Sequence, residues 1–96
     1  KIIVMSNGGG AIFRFVGSTA SLPQREQYFC AAPNLPLRDL CKAYGLEYMR
    51  AESQSQLLSK LPSFFAPRLA PTLLEIVTDG EVSASILRNY MNRPKI

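Results

Sequence analysis

One short stretch of the chain carries residue types that could hold a cofactor. An apolar run ends in Ser6 and Asn7, and three glycines follow, Gly8, Gly9 and Gly10. An amide oxygen of Asn7 and a glycine carbonyl are hard ligands suited to Mg²⁺, and glycines let the backbone approach a phosphate closely. The stretch contains no carboxylate, so a magnesium site there needs an acidic ligand from elsewhere. A plain glycine-rich turn between a strand and a helix explains the same spacing equally well.

The side chains around this stretch carry weaker signals. Ile12 and Phe13 could wall a pocket, but spacing alone favours an anchor in the core. Arg25 and Glu26 could reach over the glycines or form a solvated ion pair. The glycine stretch matches neither a Walker A motif nor Gly-x-Gly-x-x-Gly. Because the chain has no histidine, zinc sites are not expected, and Ser–His or Cys–His catalysis within the chain is excluded.

The pattern of apolar residues predicts the elements that position this stretch. A continuous apolar run is typical of a strand covered on both faces, and alternating strands and helices indicate an α/β fold with a parallel sheet. Strand carboxyl ends then meet at one edge, where ligands bind in such sheets. The predicted strands span residues 1–6, 46–50 and 72–77. The predicted helices begin near residue 11 and span 34–45, 53–62 and 82–91, whereas residues 24–30 fit either an extended segment or a helical turn.

Several single residues refine these elements. Asn34 is a candidate N-cap after a connector at 31–33, and Gly45 is a candidate helix stop. The segment Ser-Gln-Ser-Gln at 53–56 matches a capping box. Pro62 is expected to kink or end its helix, although Phe64 and Phe65 after it look buried. In the last strand the residue at position 75 is a glutamate, which is either buried with partners or placed at an edge facing water.

Composition limits the class of protein. A chain of 96 residues with 47% hydrophobic content can form one domain. The net charge of +4 is spread along the chain, so a solvated surface is favoured over a nucleic-acid interface. Cys30 and Cys41 lie in apolar surroundings, which favours buried, reduced thiols in an intracellular protein. No apolar run is long enough for a membrane span, and no signal-peptide pattern is present. The chain begins inside a strand pattern without a Met, so we expect it to be a fragment of a larger chain.

Four segments resemble one enzyme family in register. They are Ser-Asn-Gly-Gly-Gly-Ala-Ile-Phe at 6–13, Arg-Glu-Gln-Tyr-Phe at 25–29, Tyr-Gly-Leu-Glu-Tyr at 44–48, and Pro-Thr-Leu-Leu-Glu-Ile-Val-Thr-Asp at 71–79. They are similar to the C-terminal part of 2-succinyl-5-enolpyruvyl-6-hydroxy-3-cyclohexene-1-carboxylate synthases. These thiamine-diphosphate enzymes act in the menaquinone and phylloquinone pathway. The first segment is similar to thiamine-diphosphate enzymes generally, and its continuation points to this synthase.

The resemblance implies roles for individual residues. Asn7 matches a side-chain ligand of the cofactor's Mg²⁺ (or Mn²⁺), and Gly9 matches a main-chain carbonyl ligand. Gly8 and Gly10 complete the cofactor-binding loop. Ile12 and Phe13 match hydrophobic residues beside cofactor and substrate, which reverses the reading from spacing alone. Ser6 and Gly8 depart from the family's usual residues without removing a ligand. No catalytic residue is assigned to this chain.

The resemblance also implies what lies outside the chain. Residues 1–96 match the second half of a diphosphate-binding domain, and the upstream Asp ligand, the activating glutamate and the substrate-binding arginines have no counterpart. The parent enzyme decarboxylates 2-oxoglutarate and adds the product to isochorismate, and its cofactor lies between two subunits of a homo-oligomer. The implied location is cytoplasmic for a bacterial parent and the chloroplast for a plant or algal one. The isolated chain is expected to be inactive; the alternative is a non-catalytic remnant or interaction module.

Overall fold

Three parallel strands and three α-helices make up the framework in a computed structural model, which describes residues 1–16, 20–30 and 36–94. The strands are β1 (Ile2–Ser6), β2 (Glu47–Ala51) and β3 (Thr72–Val77). The α-helices are α1 (Leu37–Ala43), α2 (Gln54–Phe65) and α3 (Gly80–Met91). A 3₁₀-helix spans Ala11–Arg14, and a π-helical turn spans Arg25–Phe29. The predicted α/β class with a parallel sheet and covering helices is confirmed. Asn34 and residues 31–33, predicted as an N-cap and a connector, lie outside the described residues.

The described residues form two units. The first comprises residues 1–6 and 36–77, and therefore holds the sheet, α1 and α2. The second comprises residues 7–16, 20–30 and 78–94, and holds the glycine-rich stretch, the two short helical turns and α3. In sequence, the second unit's segments directly follow β1 and β3.

The sheet has the strand order β1-β3-β2, with all neighbours parallel. Ser6 is in register with Val77, and Ala51 with Ile76, so the carboxyl ends of the strands meet at one edge as predicted. The observed bounds of β3 match the prediction from its apolar run. Of the described helices, none is of a length and apolarity that would let it cross a lipid bilayer.

The core of the first unit lies between α2 and one face of the sheet. Phe64, Leu74 and Ala51 are buried there, and Leu57 and Leu61 of α2 pack against them. The helix starts at a side-chain cap, because the Ser53 hydroxyl accepts a hydrogen bond from the amide of Gln56 at 3.2 Å. Such a cap contributes about 1 kcal/mol to helix stability.

The prediction that Pro62 ends or kinks this helix is wrong as to its end, because α2 continues to Phe65. The Pro62 carbonyl accepts a hydrogen bond from the amide of Ala66 at 3.1 Å, so backbone pairing continues past the proline. Burying Phe64 completely contributes about 2–3 kcal/mol, which offsets an interior proline's cost of about 3 kcal/mol. The predicted burial of Phe65 is wrong, since its side chain is 63% exposed.

The expectation that β1 is covered on both faces is also wrong for the described residues. The side chains of Ile2, Ile3 and Met5 are between 45% and 59% exposed. Ile2 shares a face of the sheet with Leu73, and Ile3 shares the opposite face with Leu74. Both faces of β1 are therefore open, and β1 pairs on one side only, with β3.

Glu75 lies in the central strand rather than at an edge, and it is buried. Its carboxylate accepts a short hydrogen bond from the hydroxyl of Tyr48. Burial raises the pKa of Tyr48, and the hydrogen bond and negative charge of Glu75 raise it further. Tyr48 is consequently a neutral donor at physiological pH, which supplies the partner that a buried carboxylate requires.

The remaining sequence features are the glycine after α1 and the two cysteines. Gly45 has a φ of 70°, so it ends α1 in the left-handed conformation as its predicted role as a helix stop requires. Cys30 and Cys41 are both buried, which confirms the predicted burial, and neither forms a disulfide.

Candidate functional site

The glycine stretch is an irregular loop held in a conformation that only glycine adopts easily. Gly8 and Gly9 have φ values of 80°, and Gly10 has a φ of 52°. Three successive positive φ angles bend the backbone sharply after β1. No described atom lies within 4 Å of a Cβ built on Gly8, so that side of the loop faces open space.

Asn7 shapes this loop with its side chain. Its Oδ1 atom accepts a hydrogen bond from the amide of Gly9 at 3.0 Å. An amide oxygen has two lone pairs, so the one not used by Gly9 can still ligate a cation. Asn7 is half-buried, and the structure thus places the predicted ligands Asn7 and Gly9 together in one loop.

The loop runs into a helical segment that is shorter than the sequence suggests. The 3₁₀-helix has four residues, and the amide of Phe13 donates to the carbonyl of Gly10 at 3.0 Å. One turn of helix carries little dipole, so this segment adds little to anion binding on its own. Any phosphate contacts must come from the loop amides.

The start of α3 packs directly against the loop and the 3₁₀-helix. A Cβ built on Gly80 would lie 3.1 Å from the carbonyl oxygen of Asn7 and 2.1 Å from an Nη1 atom of Arg14. The Nε atom of Arg14 lies 3.6 Å from the Glu81 carboxylate, which also accepts a short hydrogen bond from Arg25. The close approach at Gly80 therefore seats the Arg14 guanidinium beside Glu81.

We expect Gly80→Ala to destabilise the protein by about 1–3 kcal/mol, although alanine normally favours a helix by about 1 kcal/mol. The added methyl group would overlap the Arg14 guanidinium and press on the Asn7 carbonyl. Chemical denaturation measures the effect of Gly80→Ala in two backgrounds, the parent chain and the Arg14→Ala variant.

The Arg14→Ala background serves as the control because it removes the side chain that the methyl group meets. There Gly80→Ala should cost less than in the parent, because only the contact with the Asn7 carbonyl then opposes the methyl group. An equal loss in both backgrounds would contradict the close contact.

An apolar cavity of about 380 Å³ opens beside this contact, between the 3₁₀-helix and α3. Ile12 and Phe15 line one side, and Ala84 and Leu87 line the other. The Ile12 side chain is exposed rather than packed in a core, and Phe13 is half-buried. Among the described residues, Ile12 therefore acts as a wall of an open apolar surface.

The described residues include no cluster of three or more His, Cys, Asp or Glu side chains that could hold a metal ion. Asp79, the first acidic residue after β3, caps α3 by accepting a hydrogen bond from the amide of Val82 at 2.9 Å, and Glu81 is engaged by Arg14 and Arg25. The donor set of the loop fits part of an octahedral magnesium site and needs a carboxylate from another segment.

Fold and loop together define a segment of a parallel α/β protein with a glycine loop after its first strand. The chain is 42% identical over 90 residues to the 2-succinyl-5-enolpyruvyl-6-hydroxy-3-cyclohexene-1-carboxylate synthase of Porphyromonas gingivalis, which covers 94% of this chain. The synthases of Christiangramia forsetii and Pectobacterium atrosepticum are 30% and 33% identical over 96% and 94% of the chain. No protein-family model matches it.

The chain is therefore a relative of these synthases, and the resemblance drawn from its residues is confirmed. It spans only 16% of the length of each of these three relatives.

Sequence reasoning missed the part that α3 plays beside the loop. The sequence predicted a turn at Asp79-Gly80 and a helix from Val82, whereas α3 begins at Gly80. Nothing in the sequence marked Arg14 as a partner of Gly80 and Glu81. Arg14 and Gly80 are separated by more than sixty residues. The only local hint of their contact is the Asp-Gly pair where a helix starts after a strand. Arg25 pairs with Glu81 of α3, a partner that the sequence did not suggest.

Proposed function

We propose that this chain is the C-terminal half of the diphosphate-binding domain of a thiamine-diphosphate-dependent synthase. The parent protein would use 2-oxoglutarate and isochorismate in menaquinone or phylloquinone biosynthesis. The observation that carries the proposal is the 42% identity over 90 residues to a synthase of that name. The glycine loop supports the proposal as well, because the oxygen donors of Asn7 and Gly9 fit part of an octahedral magnesium site.

Each residue of the loop has a role in this proposal. The Asn7 amide oxygen and the Gly9 carbonyl would ligate Mg²⁺ or Mn²⁺, and Gly8 and Gly10 would let backbone amides approach the diphosphate. When bound, thiamine diphosphate supplies the decarboxylation and carbon-carbon bond chemistry. Ile12 and Phe13 would exclude water beside the reacting groups, since water there would protonate or hydrolyse reactive species.

Two exposed apolar surfaces support the proposal that the chain works within a larger assembly. In the first unit, the β1 side chains are open to solvent on both faces of the sheet. In the second unit, Val82, Ile86 and Tyr90 follow one face of α3 and are exposed. Parallel sheets are normally covered on both faces, so we expect further segments of the parent protein and a second subunit to cover these residues. The parent would be cytoplasmic in a bacterium and plastid-located in a plant or alga.

The experiment that tests the proposal compares the isolated chain with the full polypeptide in which it occurs. We expect the full polypeptide to bind thiamine diphosphate only with Mg²⁺ or Mn²⁺ and to turn over 2-oxoglutarate with isochorismate. The isolated chain should show no turnover, because its glycine loop contains no carboxylate and the proposal takes the acidic metal ligand from another segment of the full polypeptide. Calorimetry and a steady-state assay measure binding and turnover, and thiamine without its diphosphate is the matched control.

Two results would contradict the proposal. A folded full polypeptide that binds no thiamine diphosphate would favour the non-catalytic remnant. Turnover by the isolated chain would show that it supplies a complete site.

A further inference from the structure

A cationic cavity lies at the outer edge of β2 and takes no part in the proposed function. Its volume is about 340 Å³, and three cationic side chains line it: Arg38 of α1, Arg50 of β2 and Lys60 of α2. A cavity of about 310 Å³ shares the same three side chains and adds Glu52 and Gln56. All of these residues belong to the first unit.

The charges at this cavity are only partly balanced. Arg50 forms a salt bridge with Glu52, with Nη2 and Oε1 2.7 Å apart. Within residues 1–16, 20–30 and 36–94, no carboxylate forms a salt bridge with Arg38 or Lys60. Three cations against the single carboxylate of Glu52 leave a net charge of +2 among the lining residues.

The uncompensated cations are held in place by contacts that leave donors for a ligand. The guanidinium carbon of Arg38 lies 5.5 Å from the centre of the Tyr48 ring, a cation–π contact, and a guanidinium has five N–H donors. Lys60 donates one short hydrogen bond to the Arg50 carbonyl, and an ammonium group has three donors. The Oγ atom of Ser63 accepts from Arg68 at 2.6 Å, which leaves its hydroxyl proton to donate.

We propose that this cavity binds a phosphate-class oxyanion. Donors from α1, α2 and the β2 edge approach it from different elements, which suits a tetrahedral group with several acceptor oxygens better than a planar carboxylate. The net charge of +2 on the lining residues favours an anion, although the Glu75 carboxylate, which attracts Arg50, offsets part of it. Because the cations are partly exposed, an affinity near 1 mM is expected, corresponding to about 4 kcal/mol.

The competing explanation is that these charges only keep the open edge of β2 from pairing with other chains. Lysine and arginine on an edge strand serve that purpose in many proteins. This explanation requires positive charge at the edge but no ordered donors, so the two explanations differ in how binding responds to single substitutions.

The test titrates the full polypeptide with inorganic phosphate at constant ionic strength, with calorimetry as the readout. Arg38→Ala and Lys60→Ala should each weaken binding at least about five-fold, which corresponds to about 1 kcal/mol. Lys42→Ala is the matched control, because Lys42 is an exposed cation of α1 that does not line the cavity. Circular dichroism verifies that each variant is folded.

The outcomes separate the explanations. Phosphate held by the glycine loop would not respond to Arg38→Ala or Lys60→Ala, and equal affinities for these variants and Lys42→Ala would overturn the proposal. A second titration with phenyl phosphate distinguishes the source of the ligand: tighter binding than inorganic phosphate indicates a phosphate monoester, and equal binding indicates the free anion.

Discussion

Asn7→Ala in the full polypeptide is expected to weaken Mg²⁺-dependent binding of thiamine diphosphate at least about 100-fold, corresponding to about 2.7 kcal/mol. The substitution removes the amide oxygen that the proposed function assigns to the metal. It also removes the acceptor that holds the Gly9 amide at 3.0 Å, so the loop loses its shape together with its ligand. Turnover should fall with binding, and calorimetry at several Mg²⁺ concentrations measures the change.

Two further variants serve as controls for Asn7→Ala. Asn7→Asp keeps an oxygen for both the Gly9 amide and a cation, so metal-dependent binding should persist. Asn89→Ala removes an exposed asparagine of α3 and should leave binding unchanged. If Asn7→Ala weakens binding by the same factor at every Mg²⁺ concentration, the residue acts through loop shape alone and the metal assignment is wrong.

Phe64→Ala is expected to lower the free energy of unfolding by about 3–5 kcal/mol. Phe64 is fully buried between α2 and the sheet, where it meets Leu74 and Ala51, and truncation would leave a cavity there. Since domains are stable by only about 5–15 kcal/mol, this loss is a large fraction of the total. Urea unfolding of the full polypeptide measures the change as a lower midpoint at an unchanged m-value.

Phe65→Ala is the matched control for this prediction. Phe65 is the next residue of the same helix, but most of its side chain is exposed. Its ring lies 5.0 Å from that of Phe64 in an edge-to-face contact, so a loss of about 1 kcal/mol is expected. Similar losses for both variants would contradict the observed orientation of α2.

The sequence predicted the strands and the loop because local signals determine them. Residues 72–77 form an apolar run after a proline, and β3 occupies those residues. The three glycines interrupt any regular element, and all three have positive φ angles. The Ser53 cap was equally visible, since a serine followed three residues later by glutamine is typical of a helix start.

What the sequence could not predict depends on contacts between distant residues. Pro62 remains within α2 because tertiary burial of Phe64 outweighs the local penalty. Glu75 could be assigned to the interior only once β3 was known to be the central strand and Tyr48 its donor. The exposure of Ile3 could not be predicted, because an apolar strand looks the same whether or not its cover is present.

The proposed site depends on the resemblance more than on the residue pattern. Spacing alone left Asn7 and the glycines undecided between a turn and a ligand site, and it favoured a core position for Ile12. The structure gives Ile12 an exposed position in the wall of a cavity. No local rule predicts this exposure, because it depends on how the 3₁₀-helix packs against α3 in the folded second unit.

The two edge strands of the sheet differ in how readily they could pair with a further strand. Charged side chains surround the β2 edge. In the part of the chain that the structure describes, the outer edge of β1 pairs with no strand, and its apolar side chains are exposed. A polypeptide in which no further segment pairs with β1 would pair this edge with another copy of itself. The protein concentration, more than the temperature, would then determine whether such a polypeptide stays in solution.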